Sequence, residues 1–374
     1  MAKEAPTDRI NFLDLKEQYS QIKEEVHVAI QNVIDKTAFS GGIFTKEFEE
    51  NFASYCHVKY AVGVNSGTSA VHLAMIAAGI GEGDEVIVPA NTFIATAWGV
   101  SYVNATPVFV DCDAETWNID PKLIEDKITS KTKAIIGVHL YGQPCDMDAV
   151  VEIAERNNIL VIEDSAQAHG AKYKEQVVGG LCEMGCFSFY PGKNLGAYGE
   201  AGAVTMNREE YYEHIKKLQN HGSNERYCHE EIGFNMRMDG IQGAVLNVKL
   251  RYIDEWNKRR REIAKMYQDG ISNPTIKLQH QPEWASSVYH LFVITTENRE
   301  HLLHYLNENN VYPGQHYPIP CHLQKAYAHL GHKEGDFPNA EYLSSNCLSL
   351  PIYAELSEDK VQRVIELLND YQHA

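Results

Sequence analysis

Three short stretches of the sequence carry residues whose type and spacing could do chemistry. The first is Asn65-Ser66-Gly67-Thr68-Ser69, running into AVHLAMIAAG. Val71, Ala74, Met75 and Ala78 repeat at helical spacing, and Gly79 marks a stop. A Gly-Thr-Ser turn that opens a helix offers free backbone N–H groups, hydroxyls and the positive end of the helix dipole, a set that suits phosphate. Ser and Thr also cap ordinary helices, and this stretch alone favours that plainer reading. The second is Asp164, directly after the apolar run ILVIE. Ligands in open α/β sheets bind beyond the carboxyl ends of the strands. A carboxylate there can hold a ring nitrogen protonated, which pyridoxal phosphate (PLP) needs because its pyridinium is the electron sink. A supporting or capping Asp fits equally well. The third is CFSFYPGKNLGAYGEAG, from Cys186 to Gly202, with Lys193 just after Pro191-Gly192. A lysine in a constrained loop at a strand end can form a Schiff base once desolvation or cationic neighbours lower its pKa. The glycines let a ligand approach the backbone. Taken singly, a lysine is most often a surface residue.

These stretches need a scaffold. Glu85 to Val88, Val108 to Asp111, Ala134 to Leu140 and Ile159 to Glu163 are short apolar runs that end in polar, Gly or Pro residues. Parallel strands covered on both faces read this way. Helical patterns, Lys122 to Ile128 and Met147 to Asn157, lie between them. This predicts an α/β domain with a mainly parallel sheet. After about Leu250 the pattern changes. An amphipathic stretch, Ile241 to Gln268, is followed by a strand at Val288 to Thr295, a helix at Arg299 to Glu308, a strand at Leu348 to Tyr353 and a last helix at Ser357 to Tyr371. The expected division is a large α/β domain over 1–250 and a smaller α+β domain over 251–374.

Composition narrows the functions. At 374 residues the chain is long enough for two domains, and 44% hydrophobic with 22% charged residues is ordinary for a globular protein. The formal net charge of −18 disfavours nucleic acid and anionic membranes as partners. The basic run Lys258-Arg259-Arg260-Arg261 lies in an amphipathic stretch and reads as a solvated helix face. The opening MAKEAPTDRINFLDL lacks a signal-type apolar core, and no apolar run reaches bilayer length, so a cytoplasmic protein is expected. Eight cysteines without a CxxC pair are expected to be reduced and mostly buried, which disfavours zinc. None of the 17 histidines, His169, His221, His229, His316 and His322 among them, shows metal spacing, and no metal is expected. Gly79-Ile80-Gly81-Glu82-Gly83 precedes a strand, and Gly196, Gly199 and Gly202 are evenly spaced, so neither forms a dinucleotide fingerprint. GxxxxGK[ST], HExxH and GxSxG are absent.

Together and in order, NSGTSAVHLA, PANTFIATA, VIEDSAQAHGA, SFYPGKNLGAYGEAGA and GFNMRMDGIQGAVL resemble the DegT/DnrJ/EryC1/StrS family of sugar aminotransferases. The resemblance runs from about Asn11 to near the C-terminus. It implies the aspartate-aminotransferase-like PLP fold of type I, with a large, mainly parallel, seven-stranded-type sheet domain, a small C-terminal domain and active sites shared across a homodimer.

Carried over by position, the resemblance implies Lys193 as the Schiff-base and proton-moving lysine and Asp164 as partner of the pyridinium nitrogen. It puts Gln167 near the ring hydroxyl or packed on the ring, Phe93 stacked on the ring, and Gly67, Thr68 and Ser188 on the phosphate. Asn235 would reach the phosphate of the partner subunit. The expected reaction moves an amino group from L-glutamate to a nucleotide-linked keto-sugar. EDSAQAHGA and the segment Gln315 to Tyr327 resemble members that aminate C-3 of dTDP-3-keto-6-deoxyhexoses, and His316 and Tyr317 are candidates for sugar contact. The alternatives are a C-4 aminotransferase acting on a dTDP-4-keto sugar, a non-catalytic regulator that binds PLP or a nucleotide sugar, and a nicotinamide-dependent oxidoreductase.

Overall fold

The computed structural model describes residues 9–372. Residues 1–8, which open the segment read as lacking a signal core, lie outside the described residues. No helix among the described residues is long and apolar enough to cross a membrane.

A seven-stranded sheet organises the first two thirds of the chain. Its strands are β1 (Tyr60–Val64), β2 (Glu85–Pro89), β3 (Thr106–Val110), β4 (Thr132–Val138), β5 (Leu160–Asp164), β6 (Met184–Ser188) and β7 (Gly202–Met206). They lie in the order β1-β7-β6-β5-β4-β2-β3. β2, β3, β4, β5 and β6 pair in parallel, while β7 runs antiparallel to both β6 and β1. Each apolar run expected as a buried strand lies on one. Alternate side chains serve opposite faces: Val86, Val88, Ala134, Ile136 and Ile162 join one apolar cluster, while Ile87, Ile135 and Val161 join another. Each such buried Val or Ile side chain contributes about 2 kcal/mol.

Helices α1 (Leu15–Asp35), α2 (Ile43–Tyr55), α3 (Gly67–Ala77), α4 (Ile94–Ser101), α5 (Met147–Asn157) and α6 (Glu209–Gln219) accompany these strands. α3, α4 and α6 cover one face through Leu73, Ala97 and Ile215; α5 covers the other through Val150 and Ile153. The helix expected at Lys122 to Ile128 is instead two 3-10 turns, Pro121–Leu123 and Glu125–Lys127. The segment is too short to repay the cost of nucleating an α-helix, and the side chain of Asp120 caps the first turn at the N–H of Lys122.

The stretch Ile241 to Gln268 is not one helix. α7 (Gly240–Leu250) packs on α1 and α2, and α8 (Ile253–Gly270) packs on the terminal helix α11 (Glu358–Asp370). A tight turn at Arg251–Tyr252, where the N–H of Tyr252 bonds the carbonyl of Lys249, lets each helix meet its own partner. The chain between them adds β8 (Lys277–Leu278), β9 (Phe292–Thr295), α9 (Arg299–Glu308), α10 (Pro338–Asn346) and β10 (Cys347–Leu350). β8, β9 and β10 form an antiparallel sheet. β9 begins four residues later than expected. The N–H groups of Val288 and Leu291 bond Gly142 and Tyr141 beside the large sheet, so they do not enter a ladder. β10 ends before Pro351, which has no N–H to donate. Ile10 joins the apolar cluster of this second sheet, with Ile263, Ile294, Leu348 and Val364.

The run Lys258 to Arg261 is only partly a solvated face. Lys258 and Arg259 pair with Glu262 at the surface. Arg260, 5% exposed, turns inward and donates to the carbonyls of Tyr289 and Ile352 at 3.0 Å and of His290 at 3.3 Å. Burial pushes its pKa down to about 10. It ties the segment before β9 to the end of β10. Arg260→Ala strands three carbonyls and is expected to cost about 3 kcal/mol. The measurement is the midpoint of urea unfolding, which falls clearly below that of an Arg259→Ala control.

Candidate active site

The carboxyl ends of β4, β5 and β6 open into a cavity of about 560 Å³. That volume suits a cofactor with part of a substrate. Parallel register sets Val138, Asp164 and Cys186 at one level, and Ser188 follows two residues further along β6. Below this rim, the buried Glu163 accepts from the N–H groups of Gly179, Leu181 and Cys182 at 2.6, 2.8 and 3.1 Å. His139 Nδ1 accepts from the N–H of Cys145 at 3.2 Å, so its Nε2 carries the hydrogen donated to Glu163 at 3.1 Å. This pair locks the ends of β4 and β5 together.

Asp164 is 8% exposed. Its Oδ2 accepts from Thr96 Oγ1 at 2.7 Å, and its Oδ1 from the N–H of Ala166 at 3.1 Å. Thr96 is itself bonded to Thr92 at 2.8 Å. Lys193 shares the cavity with Asp164. Desolvation lowers the pKa of its amine to about 8, against the opposing pull of Asp164. The loop that presents it is tight. A side chain at Gly196 would stand 2.3 Å from the carbonyl of Pro191, and the buried Lys249 ammonium donates to the carbonyl of Gly196 at 2.6 Å.

Opposite the lysine, the N-terminus of α3 meets the end of β6. Ser66 Oγ caps the N–H of Ser69 at 3.1 Å and Ser66 O accepts from the N–H of Ala70, so the N–H groups of Gly67 and Thr68 remain available. A Cβ on Gly67 would lie 2.5 Å from Ser188 Cβ, and one on Gly202 would lie 2.4 Å from the carbonyl of Ser66. Glycine is therefore required for the helix end and strand end to approach this closely. The result is a small cradle of N–H groups and hydroxyls at a helix N-terminus.

Gly67, Thr68, Phe93, Asp164, Gln167, Ser188, Lys193, His316 and Tyr317 all line this one cavity. The Gln167 amide is clamped, with Oε1 accepting from the N–H of Tyr141 at 2.7 Å and Nε2 donating to the Tyr317 hydroxyl at 3.0 Å. The half-exposed Phe93 ring lies 5.4 Å from Tyr317. His316 Nδ1 bonds Ser349 Oγ at 2.8 Å, and burial lowers its pKa to about 4. Asn235 does not line the cavity of its own chain; its Oδ1 accepts from Arg237 at 2.9 Å. Sequence reasoning missed Thr96, Tyr141 and His290. Thr92 and Thr96 stand four residues apart in the quoted NTFIATA segment, and that spacing is the signal available for the first. The other two depend on contacts distant in sequence.

The family model of the DegT/DnrJ/EryC1/StrS aminotransferases matches residues 20–369. The chain belongs to this family. It is 46% identical over 362 residues to the dTDP-3-amino-3,6-dideoxy-alpha-D-galactopyranose transaminase of Aneurinibacillus thermoaerophilus, covering 97% of this chain and 99% of that protein. It is 42% identical to the dTDP-3-amino-3,4,6-trideoxy-alpha-D-glucose transaminase of Streptomyces venezuelae, over 99% of this chain and 98% of that one. The crystal structure of S. venezuelae DesV in complex with a ketimine intermediate superposes with a TM-score of 0.95 at 42% identity, covering 97% of this chain and 98% of that one. The fold is the type I fold of PLP-dependent aminotransferases.

PLP is the cofactor of this family, and the cavity fits it. The glycine-lined cradle suits a phosphate dianion, the held Asp164 carboxylate suits a protonated ring nitrogen, and an amine of lowered pKa stands in the same cleft. One consequence is testable on the protein free of cofactor. Acetylation of Lys193, followed by peptide mass spectrometry across pH, is expected to rise with a midpoint near 8. Asp164→Asn removes the charge that favours the ammonium and moves the midpoint lower. A midpoint at the ordinary lysine value in the parent protein contradicts the desolvated environment.

Proposed function

We propose that the protein transfers an amino group from L-glutamate to C-3 of a dTDP-3-keto-6-deoxyhexose, giving a dTDP-3-amino-3,6-dideoxyhexose. The observation that carries this reading is the convergence of Lys193, Asp164 and the Gly67–Ser188 cradle on one cavity, in a chain 46% identical to a dTDP-3-amino-sugar transaminase.

In this reading Gly67, Thr68 and Ser188 bind the cofactor phosphate through N–H groups and hydroxyls. Asp164, oriented by Thr96, keeps the ring nitrogen protonated. Bound PLP supplies an electron sink beside the reacting carbon. Lys193 Nζ takes a proton from the substrate carbon and returns it on the way to product. An amine whose pKa lies near 8 can do both close to neutrality. Phe93 would cover the ring, and Gln167, fixed at both ends, would meet it from a set position. His316 and Tyr317 border the space left for the sugar. Asn235, outside its own chain's cavity, is assigned to the partner's phosphate, which makes the active unit a homodimer. The proposed division into domains, 1–250 and 251–374, is supported by the break between α7 and α8, although Ile10 joins the apolar cluster of the second sheet.

The test supplies PLP, L-glutamate and, in parallel, the dTDP-linked 3-keto and 4-keto 6-deoxyhexoses. The expected result is 2-oxoglutarate formation and an amino-sugar product by mass spectrometry and NMR from the 3-keto compound. Lys193→Ala is expected to lose roughly 10³-fold or more in rate, the scale of general acid–base catalysis. Amination of the 4-keto compound alone would replace C-3 with C-4.

A further inference from the structure

His290 also lines the cavity, and the buried amides behind it fix where its hydrogen sits. Asn257 Nδ2 donates to the carbonyl of His169 at 2.7 Å. A carbonyl only accepts, so the orientation of this amide is settled and its Oδ1 faces Asn194. Asn194 Nδ2 donates to Asn257 Oδ1 at 2.9 Å and to the carbonyl of Val288 at 3.0 Å, which settles the second amide. The remaining atom, Asn194 Oδ1, lies 3.2 Å from His290 Nδ1 and can only accept. His290 Nδ1 therefore carries the hydrogen. Asn194 and Asn257 are 3% and 1% exposed, so neither amide can rotate without stranding a buried polar group.

Burial, then the positive charges of Lys193 and Arg260, hold the His290 pKa well below the ordinary histidine value. The ring is neutral, its single hydrogen is on Nδ1, and Nε2 is a bare lone pair with no partner among the described residues. Three other polar groups of the cavity are already committed. The Gln167 amide is bonded at both ends, the His139 ring is held by Cys145 and Glu163, and Asp164 is held by Thr96 and Ala166.

We propose that His290 is a positioning residue for the sugar half-reaction, its Nε2 accepting a hydrogen bond from a hydroxyl of the bound keto-sugar. This rests on the reading of the cavity as a keto-sugar site. A sugar hydroxyl donates; the side-chain carboxylate of an amino donor does not. The contact is therefore expected to bear on the sugar half-reaction more than on the donor half-reaction.

Two substitutions separate the ring nitrogens. His290→Asn keeps a polar atom near Nδ1 and leaves nothing at Nε2, while His290→Gln places an amide oxygen near Nε2. His290→Asn is expected to raise the keto-sugar KM roughly tenfold, the scale of one lost hydrogen bond, with the glutamate half-reaction changed less than about twofold. His290→Gln is expected to recover most of the loss. Histidine-labelled ¹⁵N NMR of the unsubstituted protein, assigned with these variants, is expected to report Nδ1 protonated and Nε2 unprotonated. An Nε2–H or doubly protonated ring overturns the proposal, as does an equal loss in both half-reactions. Parent turnover of the keto-sugar with an unchanged His290→Asn variant overturns the His290 assignment alone. No parent turnover of the keto-sugar overturns this assignment and the broader reading together.

Discussion

Asp164 is a buried carboxylate at the end of a central parallel strand, gripped on one oxygen by Thr96 and on the other by the N–H of Ala166. A charge placed there is costly unless something compensates it. Two hydrogen bonds compensate part of that cost, and the Lys193 amine in the same cleft is drawn toward its charged form by the same carboxylate. The rest of the site is arranged around this charge. β5 carries it to the rim, β6 carries Ser188 past it, and the loop after β6 turns Lys193 back into the cleft. The His139–Glu163 pair below keeps neighbouring strand ends from shifting.

The second constraint is steric. Gly67 and Gly202 allow the start of α3, the end of β6 and the start of β7 to converge within distances that no Cβ could tolerate. This convergence gathers N–H groups and hydroxyls into a cradle that suits an anion. It also reconciles a chain of net charge −18 with anionic ligands, because helix dipole and N–H groups attract phosphate locally while the acidic surface acts at longer range. Buried cations support the same region from behind. Lys249 holds the Lys193 loop, and Arg260 holds the segment that carries His290.

What the sequence made legible follows from what each element depends on. β2, β3, β4 and β5 are covered on both faces, so their apolar runs announce them. β1 and β7 are as buried, but their YAVGV and GAVTM runs are rich in small residues, and the antiparallel turn of β7 has no local signature. Gly67, Asp164 and Lys193 lay in stretches whose chemistry could be read locally, but each had an equal or plainer alternative there; their roles, and Ser188 altogether, came from the resemblance of five motifs in order. Arg260 did not, since its partners lie 29, 30 and 92 residues away. The Asn257–Asn194–His290 chain spans separations of 63 and 96 residues for the same reason. The amphipathic stretch from Ile241 to Gln268 was legible as a pattern, but the break at Arg251–Tyr252 was not, because it depends on two halves packing on different helices.

The central claim is that Lys193 is, among the described residues, the lysine placed to hold the cofactor. The direct measurement is to supply the protein with PLP, reduce with borohydride, digest, and locate the pyridoxyl group by mass spectrometry. The account predicts a single stoichiometric adduct on the peptide containing Lys193. An adduct spread over surface lysines, or none at that peptide, would contradict it.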